Sequence, residues 1–252
     1  MNFVSGGAHP ACAVELAGAS SFDQIAIADG AALGLGSDLT DLQVTLRYAP
    51  AFGDSFRIIS ASGSGHFSGS FRNIPATDTV LKVTYGAQVY YLGATYDDAG
   101  KYVDLTVLTP YLAWAYGKGL YGEDAAFGAD PDLDGIINGI EFVIGGEPNP
   151  AHPGSNSSHL LPKITVDKTY LQVVYRRNHG AADLVPGIEY DGDLAGAWTL
   201  AEQGVNGVII AVTDDGFGAS IDRVEVRIPR SNAVAGKLFT RLKASPIPAT
   251  HP

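Results

Sequence analysis

The chain has 252 residues, 46% of them hydrophobic and 17% charged, and this composition supports a packed core and excludes global disorder. Its net charge of −11 opposes contact with nucleic acid or an anionic membrane surface, so we expect no nucleic-acid partner. No apolar run approaches the roughly 20 residues of a membrane helix, and the single cysteine allows no intrachain disulfide.

Residues 1–108 consist of short apolar runs separated by Gly, Asp and Ser turns, a pattern that predicts β-structure. The first runs are brief and closely spaced, as in the rungs of a β-solenoid, and longer strands follow. We therefore predict the end of a β-solenoid, or an irregular β-rich domain. The predicted strands are Ala13–Leu16, Gln24–Ile27, Ala32–Leu35, Leu42–Leu46, Ser55–Ser60, Thr79–Tyr85, Gln88–Tyr96 and Tyr102–Leu108.

A short helix is predicted over Tyr111–Tyr116. Thr109 is a good N-cap, Pro110 suits the first helical position, and Gly117 ends the segment. This helix opens a segment, residues 109–149, that differs in composition from the strands before it.

The most specific motif is the run from Asp130 to Glu141, DPDLDGIINGIE, which has the spacing of a calcium loop. Oxygen-bearing groups occupy loop positions 1, 3, 5, 7, 9 and 12, and glycine holds position 6, where the backbone turns sharply. Three carboxylates within five residues repel one another unless a cation lies between them. A solvated acidic turn is the alternative interpretation. The predicted calcium ligands are Asp130, Asp132, Asp134, the carbonyl of Ile136, Asn138 and Glu141.

A standard EF-hand entering helix is not expected, because Gly128 and Pro131 both disfavour helix just before the loop. After the loop, Ile137, Ile140 and Ile144 share one helical face, and the glycines at 145 and 146 end that helix. The sequence therefore predicts one calcium loop leading into one helix.

Residues 147–159 have the composition of a linker, and short strands resume after Leu160. Their number and spacing predict a β-sandwich of immunoglobulin or fibronectin type. The predicted domains are thus a β-solenoid-like domain at 1–108, a helical connector with the calcium loop at 109–149, and a sandwich at 160–245. The predicted strands are Lys163–Val166, Tyr170–Arg176, Val185–Tyr190, Gly207–Thr213, Asp222–Ile228 and Leu238–Leu242.

Three segments resemble the C-terminal regions of large secreted proteins of Verrucomicrobia and their relatives. Residues 42–98 resemble the last rungs of passengers built from autotransporter-associated β-strand repeats. The segment YLAWAYGKGLYGEDAAFGADPDLDGIINGIEFVIGGEPNP is similar to a single dockerin or thrombospondin type 3 calcium loop, with Leu133 where the family has glycine. Residues 160–244 resemble the small β-sandwich that follows in the same proteins. The resemblance implies the end of an extracellular or cell-surface stalk, and it implies the five side-chain ligands one for one.

No signal peptide is recognised at the N-terminus, which lacks a basic region and a continuous apolar region. The chain is then either cytoplasmic or part of a longer exported protein. Its first residues look like the middle of a repetitive β-fold, so we expect the second, with a location outside the cell or at its surface.

No catalytic motif is recognised, and catalytic residues are unknown: the chain has no G-x-S-x-G, HExxH or Walker loop. The first functional hypothesis is a calcium-binding surface module in which calcium stabilises the junction between two β-domains. The alternative is a calcium-dependent hydrolase acting on an ester, lactone or glycoside. A carbohydrate-binding module is a weaker alternative, and a polysaccharide or another extracellular ligand is the candidate partner besides calcium.

Overall fold

The computed structural model describes residues 2–4, 11–35, 40–74, 80–97 and 99–245, and the fold is mainly β, as predicted. The chain divides into two compact units, Met1–Tyr121 and Gly122–Pro252. The division falls inside the predicted 109–149 segment and assigns its first helix to one unit and its acidic loop to the other. Within the described residues, no helix is long and apolar enough to cross a membrane.

The first unit contains eleven described strands and one helix. The predicted strands all occur, with Thr79 outside the described residues, and three short strands that the sequence did not reveal add to them. The elements of the first unit, in chain order, are β1 (Asn2–Val4), β2 (Ala11–Gly18), β3 (Ser21–Phe22), β4 (Ile25–Ile27), β5 (Ala32–Gly34), β6 (Asp41–Leu46), β7 (Ser55–Ala61), β8 (His66–Ser68), β9 (Val80–Tyr85), β10 (Gln88–Tyr96), β11 (Tyr102–Leu108) and α1 (Pro110–Gly117).

Three parallel strand pairs stack one coil of chain on the next. Strand β2 pairs with β6, β4 with β7 and β5 with β8, each in parallel and without a register shift. The paired residues are separated by 30 residues in the first pair and by 34 in the other two. A similar offset between successive parallel strands is the pattern of stacked solenoid coils.

Antiparallel strands follow the two coils. Strand β11 pairs antiparallel with β7 and with β10, and β9 completes a five-stranded sheet in the order β4-β7-β11-β10-β9. The coils and this sheet share one core of buried apolar side chains, among them Leu16, Phe56 and Leu105, each fully buried. Helix α1 begins as predicted, because the Thr109 hydroxyl accepts a hydrogen bond from the Leu112 N–H at 3.2 Å.

The second unit is built around a β-sandwich that follows a short helix, α2 (Asn138–Ile144). Seven strands form two sheets, with orders β12-β13-β17-β16 and β15-β14-β18. The strands are β12 (Lys163–Val166), β13 (Tyr170–Asn178), β14 (Gly187–Asp191), β15 (Thr199–Leu200), β16 (Ile209–Thr213), β17 (Ile221–Pro229) and β18 (Phe239–Lys243).

Lettered in chain order as A, B, C, C′, D, E and F, these strands give one sheet of order A-B-E-D and another of order C′-C-F. That arrangement is the order of strands A to F in an immunoglobulin-type sandwich, and the described residues contain no strand G. The two sheets face one core, to which Val173 and Val226 contribute from one sheet and Ile188 from the other.

Helix α2 is fixed to strand β13 by hydrogen bonds at its C-terminal end. The Ile144 carbonyl accepts one from Arg176 Nε at 2.8 Å, and the Phe142 carbonyl accepts one from Asn178 Nδ2 at 3.1 Å. Gly145 then ends the helix in the left-handed conformation, with φ of 74°. These bonds satisfy carbonyls that a helix terminus leaves unpaired, so the helix and the sandwich belong to one structural unit.

A buried carboxylate ties the ends of β13 and β17 together. Asp222 accepts hydrogen bonds from Arg177 at 2.7 Å and from the Asp215 N–H at 3.2 Å, and its other close partner is His179 Nε2 at 2.7 Å. The hydrogen bond from Arg177, aided by the one from His179, lowers the pKa of Asp222 against the opposing effect of burial. The depressed folded-state pKa means that ionised Asp222 stabilises the fold at neutral pH.

We expect Asp222→Asn to lower the free energy of unfolding at pH 7 by roughly 1–3 kcal/mol, since it weakens charge-assisted hydrogen bonds. A depressed carboxyl pKa contributes stability above the unfolded pKa of about 4, and this contribution is lost as pH falls through the folded value. Urea unfolding at neutral and acidic pH should therefore show a difference that shrinks in acid. Asp214→Asn, at an exposed neighbouring position, is the control; an equal loss at every pH would contradict the account.

Candidate metal site

The acidic loop brings the three aspartates of the motif together. One carboxylate oxygen from each of Asp130, Asp132 and Asp134 lies within 4.8 Å of the others. Gly135 at position 6 has φ of 88°, the left-handed backbone that the motif predicts there. The Gly135 N–H donates to Asp130 Oδ2 at 3.0 Å, and the Ile136 N–H donates to Asp134 Oδ1 at 2.8 Å. The loop backbone thus holds the carboxylates in place.

Four side-chain oxygens of this segment are buried and accept no hydrogen bond. They belong to four of the five residues whose side chains were predicted as ligands. A buried acceptor without a partner loses its hydration and gains nothing in return, so such atoms are rare in folded proteins. Four in one twelve-residue segment indicate a missing positive partner. The atoms are Asp130 Oδ1, Asp132 Oδ2, Asn138 Oδ1 and Glu141 Oε2.

The orientation of the Asn138 amide is fixed by its other end. Its Nδ2 donates to the carbonyls of Asp124 at 2.7 Å and of Ala126 at 2.9 Å, so both N–H bonds are used. An amide nitrogen can only donate, and two carbonyls can only accept, so the assignment of Oδ1 as the free atom is unambiguous. Asn138 is fully buried, and its oxygen is available only to an electropositive group.

The segment before the loop also caps helix α2. The Asn138 N–H donates to the Ala129 carbonyl at 2.8 Å, and the Gly139 N–H donates to the Phe127 carbonyl at 2.9 Å. A Cβ added to Gly139 would lie 2.2 Å from the Phe127 ring, so only glycine fits beneath that ring. Backbone carbonyls therefore satisfy N–H groups that would otherwise be unpaired at the start of α2.

Glu141 is held at the site by Ser157. The Ser157 hydroxyl donates to Glu141 Oε1 at 2.7 Å, and the Ser157 N–H donates to Asp134 Oδ2 at 2.6 Å. Both Glu141 and Ser157 are fully buried. A Cβ at Gly146 would lie 2.6 Å from Ser157 Oγ and 3.1 Å from Glu141 Oε1, so a glycine is required beside this pair. One serine thus orients two of the predicted ligands.

Burial and neighbouring negative charge raise the pKa of Glu141 and of Asp132. Burial raises the pKa of Glu141, and the charges of Asp132, Asp134 and Asp130 add to this effect, so that the pKa lies at about 7 despite the hydrogen bond from Ser157. Burial also raises the pKa of Asp132, and the charges of its two aspartate neighbours add to that effect. Concentrated negative charge in a buried place is costly, and a divalent cation would reverse the sign of this local field.

The sequence-predicted site residues therefore fall in one place. Asp130, Asp132 and Asp134 form the acidic group. Asn138 is the first residue of α2 and Glu141 lies within this helix, and each has one buried oxygen that accepts no hydrogen bond. Ile136 lies between the loop and the helix with its side chain buried, and the ligand role of its carbonyl stays a prediction. No helix directly precedes the loop, and one follows it, as predicted.

Ser157 is the site residue that sequence reasoning missed. It lies 16 residues after Glu141, in the segment 147–159 whose composition indicates a linker. Its serine neighbour at 158 is exposed, and nothing in the local pattern distinguishes the two. Only the folded chain shows that this segment returns to the loop and is anchored there.

Comparisons with models of known protein families, with curated proteins and with solved structures find no match for this chain. The interpretation of the site therefore rests on its own geometry.

Leu133 is strained at loop position 4. It has φ of 60° and a side chain that is 86% exposed, so it is held in the left-handed conformation without burying apolar surface. We expect Leu133→Gly to raise the free energy of unfolding by roughly 0.5–1 kcal/mol, the left-handed strain less the extra backbone entropy of glycine. Chemical unfolding would measure it. Leu133→Ala is the control, because it removes the exposed side chain and keeps the strain; an equal gain from both would refute this explanation.

Ser157→Ala should weaken metal binding by roughly tenfold, since loss of a group that orients a ligand typically costs ten- to a hundredfold in affinity. The substitution removes the hydroxyl that positions Glu141 and retains the N–H that positions Asp134. Calcium affinity would be measured by competition with a chromophoric chelator. Ser158→Ala, at the exposed neighbour, should leave the affinity unchanged, and equal effects from both variants would rule out a positioning role for Ser157.

Proposed function

We propose that this chain is a calcium-binding module in which one ion stabilises the C-terminal unit. The observation that supports this most strongly is the set of four buried, unpartnered oxygens on Asp130, Asp132, Asn138 and Glu141, arranged at the spacing of a calcium loop. A solvated acidic turn, the alternative from sequence, would leave these oxygens in contact with water.

The donor chemistry favours calcium among the common metals. The predicted side-chain donors are carboxylate and amide oxygens, which suit hard cations, and no histidine or cysteine is among them. Calcium takes six to eight oxygens in flexible geometry, which a twelve-residue loop can supply. Magnesium requires near-ideal octahedral geometry and retains several waters, and it is less suited to a site whose donors come from the protein.

The ion would act on stability through helix α2. Glu141 lies within this helix, and the Ile144 carbonyl at its end is hydrogen-bonded by Arg176 of strand β13. An ion that binds only the folded loop stabilises the folded state by mass action, by about 2.7 kcal/mol at a hundredfold excess over the dissociation constant. Calcium would in this way hold the loop, the helix and the Ser157 segment against the sandwich.

We further propose an extracellular or cell-surface location, as part of a longer exported chain. The resemblance of the solenoid, loop and sandwich segments to parts of secreted verrucomicrobial proteins supports this, and a net charge of −11 suits a medium that contains abundant calcium. The stacked parallel coils of the first unit agree with the solenoid part of that resemblance. On this proposal the protein is a stalk or adhesive module.

The hydrolase alternative requires calcium to face a pocket with a histidine or carboxylate. The described groove beside the loop is lined by apolar residues together with Thr240 and Arg241, and no histidine or carboxylate lines it. No observation favours a catalytic role over the stabilising one.

Asp132→Ala should lower the melting temperature of the second unit in calcium by several degrees, because the variant forfeits the stabilisation that the ion supplies. In chelator the same substitution should cause no loss, since it relieves repulsion among carboxylates that no ion neutralises. Differential scanning calorimetry of both proteins in calcium and in chelator measures this.

Asp124→Ala is the matched control for that comparison. Its side chain is exposed, and only its backbone carbonyl contacts the site, through Asn138. We expect it to behave as the unmodified chain in both conditions. Equal destabilisation by Asp132→Ala with and without calcium would refute the proposed function.

A further inference from the structure

Asn138 and Gly139 form a pair that is chemically labile in an open chain. In an unstructured asparagine-glycine pair the glycine nitrogen attacks the asparagine side-chain carbon, because glycine has no side chain to hinder the approach. The sequence has two such pairs, Asn138 with Gly139 and Asn206 with Gly207. The first pair begins helix α2 within the candidate metal site, and the second is exposed in the segment before β16.

The geometry of the site requires both residues of the first pair. Asn138 supplies a buried Oδ1 that accepts no hydrogen bond, and its Nδ2 donates to the carbonyls of Asp124 and Ala126 at 2.7 and 2.9 Å. Gly139 lies beneath the Phe127 ring, where a Cβ would overlap the ring. An amide side chain followed by glycine is therefore part of the site, and the labile pair comes with it.

The folded structure prevents the two groups from reacting. Asn138 is fully buried, and the Gly139 N–H donates to the Phe127 carbonyl at 2.9 Å. This hydrogen bond and the two from Asn138 Nδ2 must break before the nitrogen can reach the side-chain carbon. The first turn of α2 must also unwind, because helical backbone does not allow the ring to close. The reaction therefore proceeds only from a locally opened state.

Calcium would control the population of that open state, a step that rests on the proposed function. Asn138 and Glu141 lie in the same seven-residue helix, and each presents a buried oxygen to the site, so an opening that exposes Asn138 also dismantles the site. An ion bound only by the folded site reduces the open population by mass action. Without the ion, buried oxygens lack a partner and carboxylates repel one another, and both effects favour opening.

We propose that Asn138 is a covalent modification site that the bound ion protects. When calcium is lost, Asn138 deamidates, and a reversible loss of the ion becomes a permanent one.

The reaction needs only water as a co-reactant. The Gly139 nitrogen forms a bond to Asn138 Cγ, its proton passes to the departing amide, and ammonia leaves as the bond from Cγ to Nδ2 breaks. Water then opens the cyclic imide at one of its two carbonyls, which gives aspartate or β-linked isoaspartate. Both products lack the N–H donors that the Asp124 and Ala126 carbonyls bind. The β-linked product also adds a methylene to the backbone at the start of α2.

The test follows both asparagine-glycine pairs in the full chain, incubated in mildly alkaline buffer with chelator or with increasing calcium. Peptide mapping by mass spectrometry measures the deamidation rate at each asparagine, and calorimetry measures the calcium dissociation constant of the same sample. The rate at Asn138 should fall to half where free calcium equals that constant, and roughly a hundredfold at a hundredfold excess.

Asn206 is the internal control. It is exposed, and its Nδ2 donates to the Tyr190 hydroxyl at 2.9 Å, away from the acidic loop. We expect its deamidation rate to be the same in calcium and in chelator. Equal acceleration of both asparagines in chelator would show unfolding of the whole unit and would overturn the proposal.

The product is tested separately. Chain deamidated at Asn138, isolated by ion exchange, should bind calcium at least tenfold more weakly, because a group that orients the site has been replaced. Unchanged affinity would contradict a permanent loss of the ion.

Failure of this proposal can be distinguished from failure of the proposed function. Calcium binding together with a rate at Asn138 that calcium does not alter, or with no deamidation at Asn138 in chelator, would overturn the protection of Asn138 alone. Absence of calcium binding would overturn both.

Discussion

The second unit depends on a cluster of oxygens that needs a positive partner. Asp130, Asp132, Asn138 and Glu141 each bury an oxygen that accepts no hydrogen bond. Burial without a partner costs free energy at every one of these atoms, and the cost rises where the groups carry like charges. A divalent cation would remove both costs at once, because it supplies the missing partner and neutralises the repulsion. On the proposed function this segment is the metal site, and helix α2 and Ser157 are arranged around it.

The arrangement makes a short helix part of a larger unit. Helix α2 has seven residues, too few to be stable in water by itself. Its first N–H groups are satisfied by carbonyls of the preceding segment, and its last carbonyls by side chains of β13. Ser157 links the loop and the helix through Asp134 and Glu141. We therefore expect ion binding, helix formation and docking on the sandwich to occur together.

Local patterns in the sequence were enough to predict most elements. Apolar runs between Gly, Asp and Ser turns marked the strands, Thr109 and Gly145 marked the limits of helices, and the spacing of the acidic residues marked the loop. Contacts between distant segments were not predictable in this way. Ser157 lies in a segment with the composition of a linker, and its return to the loop depends on contacts that no local pattern encodes. Very short strands such as β3 and β15 depend on their neighbours and leave no periodicity.

A calorimetric titration of demetallated protein with calcium is the most direct test of the central claim. The account predicts a single site for the chain, and no site in Asp134→Ala, because Asp134 contributes to the acidic group and also receives the Ser157 N–H that fixes its carboxylate. The same titration with magnesium should show much weaker binding. Absence of calcium binding to the unmodified chain, or unchanged binding to Asp134→Ala, would contradict the account and leave the four buried oxygens unexplained.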